Sequence, residues 1–259
     1  MGMAASFARA SSVIMPAPPR RYFSRQRFHN FRRLAIIGSK ATRSGDTAAM
    51  TDGKHLDALT AAYAAKRPEE VAALYDRWSR TYDADMSAAG YRHPTICLAL
   101  LTRHLPRGAA PLLDAGAGTG LIGEWLDISG YPEVEALDIS QGMLDQAARK
   151  GVYSALHCLA LGGALPFADD AYAGIVSAGV FTSGHVGVEG LNELIRICRP
   201  GGVIVLTVKN TLWEQGFAAR IAELEAQGVV TRAEETRPYV SMPGEADTVP
   251  SRGLALRVN

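Results

Sequence analysis

The stretch Leu112-Leu113-Asp114-Ala115-Gly116-Ala117-Gly118-Thr119-Gly120 decides the fold of this chain. An apolar run ends in an acid and passes into a loop with glycine at every second position, and the helical pattern of Leu121 to Leu126 follows directly. A strand, a glycine-rich loop and a helix in this order are typical of a nucleotide-binding α/β sheet. Glycine lets the loop adopt positive φ and lie against a ligand, while the helix start offers free N–H groups. The alternative is an ordinary glycine turn.

The spacing of the glycines indicates which type of nucleotide-binding motif this loop resembles. The dinucleotide fingerprint G-x-G-x-x-G needs a sixth-place glycine, and counting from Gly116 that place holds Leu121. A phosphate-binding P-loop is excluded because no Gly-Lys-Ser/Thr follows. An acid followed by G-x-G-x-G is similar to motif I of the class I S-adenosylmethionine (SAM) methyltransferases. That resemblance implies that Asp114, Gly116, Gly118 and Gly120 hold the methionine and ribose side of SAM.

A second acidic residue follows at the end of the next predicted strand. The apolar run from Val134 to Leu137 ends at Asp138, which lies 18 positions after Gly120. An acid about 20 residues beyond the glycines is placed to accept hydrogen bonds from both ribose hydroxyls. NAD enzymes use the same arrangement, so Asp138 predicts a ribose without choosing the cofactor. The alternative role of Asp138 as a helix N-cap is weaker, because Ser140 suits that position better.

The composition predicts one soluble α/β domain with an extension. The chain has 259 residues, of which 47% are hydrophobic and 20% charged, and its mean hydropathy is close to zero. Apolar runs stay well below the ~18 residues that a membrane-spanning helix needs. Three cysteines and six histidines are scattered without a C-x-x-C pair, so no metal site is predicted.

Charge is distributed unevenly along the chain. Residues 1–50 carry nine basic side chains and one acidic one, a net charge of +8, whereas residues 51–259 carry a net charge of −7. An acidic body argues against strong nucleic-acid binding, which needs cations against the phosphates. The arginine-rich leader is typical of a mitochondrial transit peptide, which predicts a mitochondrial protein. The alternative is that translation starts at Met50, which would give a cytoplasmic protein.

Residues 51–104 have a helical pattern and are predicted to form an N-terminal cap ahead of the core at residues 105–259. Within the cap, the pairs Tyr75-Asp76 and Tyr82-Asp83 stand seven residues apart. Such pairs ahead of motif I resemble the cap of small-molecule class I methyltransferases, which implies that Tyr82 lies over the cofactor. The alternative is that Tyr75, Trp78 and Tyr82 form a stripe that packs on the sheet, and this interpretation is preferred for Tyr75 and Trp78.

Two later segments extend the predicted sheet. Ser154 to Leu161 forms a third strand, after which many methyltransferases place an acid against the adenine amino group. This chain has no acid there, so backbone groups of Ala160 and Leu161 are predicted to replace it. The fourth strand, Gly174 to Gly179, ends where ligands bind in open α/β sheets. No Asn/Asp-Pro-Pro-aromatic signature follows that strand, which argues against amino methylation of adenine or glutamine.

His185 is the only imidazole predicted near the reacting end of the site. With an ordinary pKa of about 6.5 it could remove a proton from an oxygen or nitrogen nucleophile. The alternative is a structural residue in a glycine-flanked turn. Methyl transfer can also proceed without a base, because alignment of the reacting groups supplies much of the acceleration.

Residues 70–210 as a whole resemble the Williams-Beuren methyltransferase-like proteins. The resemblance covers over half of the chain and rests on these segments: Tyr75-Asp76-Arg77-Trp78, Tyr82-Asp83, Tyr91-Arg92, Leu113 to Leu121, Gly179 to Val186 and Lys209-Asn210. It implies a doubly wound, Rossmann-like, seven-stranded and mostly parallel sheet with SAM as the cofactor. The predicted activity is methyl transfer from SAM to a small molecule or a protein side chain, with the acceptor left open.

The predicted cofactor-binding residues are Tyr82, Asp114, Ala115, Gly116, Gly118, Gly120, Asp138, Ile139, Met143, Ala160, Leu161 and Gly179, and His185 is the predicted catalytic residue. Two alternatives stay open: a non-catalytic SAM-binding or assembly protein, and an NAD-dependent oxidoreductase. The oxidoreductase is disfavoured by Leu121 and by Arg199-Pro200-Gly201-Gly202, a turn that resembles the fifth-strand entry of methyltransferases. No oligomeric state is predicted.

Overall fold

A computed structural model describes residues 60–61, 65, 67–182, 185–245 and 248–259. The predicted leader at residues 1–50 lies outside the described residues. Within residues 67–111, three helices precede the first strand: α1 (Pro68–Trp78), α2 (Tyr82–Ala88) and α3 (His93–His104). Proline at the first position of α1 and two glutamates in its first turn favour the start of that helix, because acids are stabilised at its positive end.

Seven strands form a single sheet. They are β1 (Leu112–Ala115), β2 (Val134–Asp138), β3 (Ala155–Cys158), β4 (Tyr172–Phe181), β5 (Cys198–Lys209), β6 (Val230–Glu235) and β7 (Ser251–Val258). The strand order is β3-β2-β1-β4-β5-β7-β6, and β7 runs antiparallel to both of its neighbours while the other pairs are parallel. The predicted doubly wound, Rossmann-like sheet is therefore confirmed.

Helices cover both faces of this sheet. Those that follow β1 are α4 (Gly123–Ile128), α5 (Gln141–Lys150), α6 (Gly190–Ile197), α7 (Asn210–Leu212) and α8 (Ala218–Ala226). The neighbours Leu112 and Leu113 of β1 point to opposite faces, because side chains alternate along a strand. Leu112 packs in a buried cluster with α3, α4 and α5, whereas Leu113 packs in another with α6 and α8. Both faces of β1 are thus buried, which suits its central position.

The structure changes several predicted bounds, and the fourth strand, expected from Gly174 to Gly179, extends from Tyr172 to Phe181. The helical pattern of the sequence from Leu212 to Gln227 predicts one long helix, but a π-helical turn at Trp213–Phe217 interrupts it, and Gly216 in that turn has φ of +128°. The third strand, expected from Ser154 to Leu161, spans Ala155–Cys158, and just beyond it the backbone N–H of Leu159 donates to the carbonyl oxygen of Asp138 at 3.0 Å. No helix within the described residues combines the length and apolarity that a membrane crossing requires.

The pairing of β1 with β2 decides where the glycine-rich loop begins. Ala115 at the end of β1 lies opposite Leu137 in β2, so the two strands finish almost level. The predicted N-cap at the start of α5 is also present, since the hydroxyl oxygen of Ser140 accepts a hydrogen bond from the backbone N–H of Met143 at 3.1 Å. Residues 116–120 and 138–140 therefore meet at the same edge of the sheet.

Candidate functional site

A cleft opens at the carboxyl ends of β1, β2 and β4, where a doubly wound sheet binds its ligands. Its empty volume, including the open mouth, is about 800 Å³. Most of the predicted site residues line it, namely Tyr82, Gly116, Gly118, Asp138, Ile139, Met143, Ala160, Leu161, Gly179 and His185. The predicted residues Asp114, Ala115 and Gly120 do not line this cleft.

The glycine-rich loop lies tightly between β2 and β4. The backbone N–H groups of Gly116 and Ala117 donate to the carbonyl oxygen of Leu137 at 2.7 and 2.9 Å. Gly116 has φ of +80°, and a Cβ atom there would lie 2.2 Å from Cγ2 of Val180. Gly118 faces open space, with no heavy atom within 4 Å of the Cβ position. Bare backbone is therefore required at 116, and at 118 it faces the cleft.

Asp138 joins this loop to the start of α5. Its buried carboxylate accepts hydrogen bonds from the backbone N–H groups of Gly118 at 2.7 Å and Ser140 at 2.9 Å, one on each oxygen. Burial raises the pKa of Asp138 to about 6, so the carboxylate is largely ionised at pH 7. A carboxylate has about four acceptor positions, so acceptor capacity remains for a ligand that carries hydroxyl groups. This floor fits the ribose of an adenosyl cofactor.

The predicted residues outside the cleft support the loop from behind. Asp114 is 1% exposed, and its carboxylate accepts a hydrogen bond from the Tyr153 hydroxyl at 2.7 Å. Burial raises the pKa of Asp114 to about 7. A Cβ atom at Gly120 would lie 2.8 Å from the Tyr153 ring, and the carbonyl oxygen of Ala115 accepts from the Ser177 hydroxyl at 2.8 Å. Asp114 borders a smaller pocket beside the loop.

Three tyrosines of the cap, Tyr75, Tyr82 and Tyr91, line the cleft. Tyr75 stacks on Trp78 with ring centroids 5.9 Å apart, and Trp78 packs edge-on against Tyr82 at 4.8 Å. Trp78 is buried and does not line the cleft, in keeping with a packing role. The interpretation that Tyr75 only packs against its neighbours was wrong, because α1 passes over the cleft and the Tyr75 ring lines it.

His185 lies at the cap side of the cleft between two hydroxyl groups. Its Nε2 is 3.2 Å from the Tyr75 hydroxyl oxygen, and its Nδ1 is 3.3 Å from Oγ1 of Thr182. Burial lowers the pKa of His185 to about 4, so the imidazole is neutral at pH 7. The pKa of about 6.5 assumed from the sequence does not hold in this surrounding, and proton removal by His185 is correspondingly less favourable.

This chain is similar in sequence to known methyltransferases. Residues 113–206 match the methyltransferase domain family Methyltransf_11. Human methyltransferase-like protein 27 is 32% identical over 163 residues, which is 60% of this chain and 66% of that protein. Demethylmenaquinone methyltransferase of Mycobacterium sp. strain KMS is 31% identical over 209 residues, 74% of this chain and 85% of that enzyme. This chain belongs to the class I SAM-dependent methyltransferases. The oxidoreductase alternative has no support from these relatives.

A solved structure shows the same fold in a more distant protein. The [4+2]-cyclase SpnF superposes with a TM-score of 0.55 at 16% identity, over 75% of this chain and 97% of that one. At this identity the likeness concerns the fold alone. Since SpnF is named as a cyclase, the methyltransferase fold by itself does not decide the reaction.

Several residues that line the cleft were not predicted from the sequence. They are mostly apolar: Pro68, Val71, Tyr75, Tyr91, Leu137, Leu159, Ala178, Val180 and Val186. Val71 and Tyr75 stand four residues apart on α1 and so share one face of that helix. This spacing was available in the sequence, but it did not reveal whether the face meets the sheet or the ligand cleft.

We expect Asp114→Asn to stabilise the ligand-free protein increasingly as pH rises. The pKa of Asp114 is about 7 in the folded state and ordinarily 3.8. The stability that this raised pKa gives the wild-type protein is therefore fully present below about pH 4 and is lost as pH rises through 7. Asparagine does not titrate and still accepts the Tyr153 hydroxyl. Urea unfolding at pH 5 and pH 8 measures the difference between variant and wild type.

The control for this experiment is Asp127→Asn, which changes an exposed carboxylate of α4. Comparison with wild type at each pH cancels the titration of other buried groups, including His93 and His185. An Asp114→Asn difference in unfolding free energy that is equal at the two pH values would contradict the raised pKa of Asp114.

We expect the His185 imidazole to stay neutral down to about pH 5. Burial lowers its pKa to about 4, so its NMR resonances should titrate near that pH, with His185→Gln providing the assignment. Titration near 6.5 would instead show a solvated imidazole and restore the assignment of His185 as a general base.

Proposed function

We propose that this protein binds SAM in the cleft and transfers its methyl group to a small-molecule acceptor beneath the cap. The observation that carries the proposal is the joined unit of Gly116, Gly118 and Asp138, in which exposed backbone lies beside a buried carboxylate. When bound, SAM supplies a methyl group already activated by its sulfonium. The protein's contribution is then to bind, to orient and to exclude water.

Each part of the lining has a role in that proposal. Asp138 would accept the ribose hydroxyls, and the side chains of Ile139 and Met143 would contact the adenine ring. Backbone groups of Ala160 and Leu161 would meet the edge of the ring. An ionised Asp138, in a described lining without lysine or arginine, favours a cationic ligand over an anionic one.

The acceptor that fits best is a neutral, flat and largely apolar molecule. The acceptor side combines Tyr75 and His185 with the apolar residues Val71, Val180 and Val186. A neutral imidazole and aromatic rings contact an aromatic acceptor favourably. The name of the Mycobacterium relative states demethylmenaquinone as the acceptor of that enzyme, which is in keeping with this class. A protein side chain is the other acceptor class to be tested.

A second candidate function is a SAM-binding or assembly protein without catalysis. The lowered pKa of His185 favours it, because it weakens the base predicted at the acceptor end. Transfer of a tritiated methyl group from SAM to a cell extract separates the two candidates. Labelled product supports methyl transfer, and SAM binding without any labelled product supports the second candidate. The chemical class of the labelled product separates small-molecule from protein acceptors.

We expect Asp138→Ala to weaken SAM binding by well over tenfold, a loss of more than ~1.4 kcal/mol of binding free energy. The substitution also frees the N–H groups of Gly118 and Ser140, so affinity alone does not isolate the ribose contact. An adenosyl analogue that lacks both ribose hydroxyls supplies the control: it should bind wild type weakly and lose little further affinity in the variant. Calorimetry measures the affinities, and thermal melting verifies that the variant folds.

The same calorimetry separates the cofactor classes. Wild-type protein should bind SAM and be stabilised by it in thermal melting, while NAD should give neither effect. Asp138→Ala could instead weaken the binding of SAM and of the analogue without ribose hydroxyls by the same factor. That result would show that Asp138 does not hold the ribose.

We propose that residues 1–50 direct the protein to mitochondria, on the basis of their net charge of +8 and arginine-rich composition. A fluorescent protein fused behind residues 1–50 should then accumulate in mitochondria. The matched control begins at Met50 and should remain in the cytoplasm. Cytoplasmic fluorescence from both fusions would overturn the proposal.

A further inference from the structure

The first Tyr-Asp pair of the cap bridges the cleft and the sheet domain. Tyr75 lines the cleft, while the side chain of the next residue, Asp76, points to the start of α5. Oδ1 of Asp76 accepts hydrogen bonds from the Ser140 hydroxyl at 2.6 Å and from the backbone N–H of Gly142 at 2.8 Å. A carboxylate is well placed there, since the N-terminus of a helix carries partial positive charge.

The second pair repeats this arrangement at the glycine-rich loop. Tyr82 lines the cleft, and Asp83 accepts a short hydrogen bond on Oδ1 from the hydroxyl of Thr119 in the loop. Its other oxygen, Oδ2, lies 3.1 Å from Nζ of Lys150 at the end of α5. In both pairs the tyrosine faces the ligand space and the aspartate holds the cap to the core.

Both anchoring points adjoin the predicted cofactor contacts. Ser140, which donates its hydroxyl to Asp76, donates its backbone N–H to Asp138. Thr119 directly follows Gly118, whose backbone N–H also donates to Asp138. A ligand that orders Gly118 and Asp138 therefore orders the partners of the two cap aspartates as well.

We propose that Asp76 and Asp83 are positioning residues that hold Tyr75 and Tyr82 over the cofactor and couple closure of the cap to SAM binding. The hydrogen bonds of the two aspartates to the core are called the latch below. The proposal rests on the proposed SAM site for its functional consequence. Thermodynamic coupling is reciprocal. If SAM binding strengthens the latch by some factor, an intact latch must strengthen SAM binding by the same factor.

The cap also contains a matched control. Asp85 accepts a hydrogen bond from Nε1 of Trp78 at 2.7 Å, so its carboxylate joins α2 to α1 within the cap. Within the described part of the chain, the Asp85 carboxylate makes no hydrogen bond to the loop or to α5. Asp85→Ala therefore weakens the cap internally, whereas Asp76→Ala and Asp83→Ala remove bonds between cap and core.

The main test measures SAM affinity by calorimetry and deuterium uptake of residues 68–88 in the ligand-free protein. Asp76→Ala and Asp83→Ala should each raise the SAM dissociation constant at least tenfold and increase uptake in the cap. The amide of Gly142, the bonding partner of Asp76, should lose protection in Asp76→Ala and keep it in Asp85→Ala. Asp85→Ala should change SAM affinity less than threefold.

Conservative variants separate hydrogen bonding from general destabilisation. Asp76→Asn keeps an oxygen that accepts from both Ser140 and Gly142, so it should bind SAM within about threefold of wild type. Asp83→Asn keeps an oxygen for Thr119 but loses the ion pair with Lys150, so its SAM affinity should lie between those of wild type and Asp83→Ala. If these variants are as weak as the alanine variants, or if Asp85→Ala is equally weak, the assigned role of the latch is overturned.

A substitution on the core side tests the latch without removing any cap side chain. A Cβ atom at Gly142 would lie 3.0 Å from both Cα and Oδ1 of Asp76, so Gly142→Ala should push α1 away by a few tenths of an ångström. Alanine suits the helix α5 better than glycine, which offsets part of the cost of this displacement in the melting temperature. SAM affinity should nevertheless fall at least threefold, and unchanged affinity would count against the latch even if the aspartate variants fail to fold.

The measurements distinguish failure of the latch from failure of the SAM site. Wild type that binds SAM, with aspartate variants indistinguishable from it in affinity and uptake, overturns the latch alone. Wild type that does not bind SAM overturns the proposed function and with it the coupling to SAM, while deuterium uptake still reports whether the aspartates hold the cap.

Discussion

The loop after β1 crosses the end of β2 within hydrogen-bonding distance, and the rest of the site depends on that close approach. The carbonyl oxygen of Leu137 accepts hydrogen bonds from two backbone N–H groups of the loop, and the carboxylate of Asp138 accepts a third. On the other side, Val180 of β4 leaves no room for a side chain at Gly116. Three neighbouring strands thus confine one stretch of bare backbone, and that confinement creates the floor of the cleft.

Burial of two carboxylates beside the loop sets the electrostatics of this region. The pKa of Asp114 rises to about 7 and that of Asp138 to about 6, in both cases mainly because their side chains are removed from water. They serve different partners, since Asp114 bonds to Tyr153 behind the loop and Asp138 faces the cleft. A site that keeps negative charge at its floor, with no basic side chain in its described lining, is suited to a cationic cofactor.

The cap brings the aromatic side chains that a sheet edge alone does not supply. Asp76 and Asp83 bond to the two ends of α5 and to the glycine-rich loop, and the neighbouring tyrosines face the cleft. These hydrogen bonds join the cap to residues that adjoin Gly118 and Asp138 at the floor of the cleft. This linkage gives a physical reason for two Tyr-Asp pairs one heptad apart, which periodicity alone presents as a packing stripe.

The sequence by itself determined the strand, loop and helix around Gly116, the carboxylate at Asp138, the N-cap at Ser140 and the class of fold, because these features depend on local backbone preferences and regular spacing. Tertiary structure alone decided which side chains face the ligand and how they are charged. His185 meets Tyr75 across 110 positions of sequence and loses its ordinary pKa there, and Asp114 turns to Tyr153, 39 positions away. Burial and long-range partners fix such properties, and neither is encoded in a short run of residues.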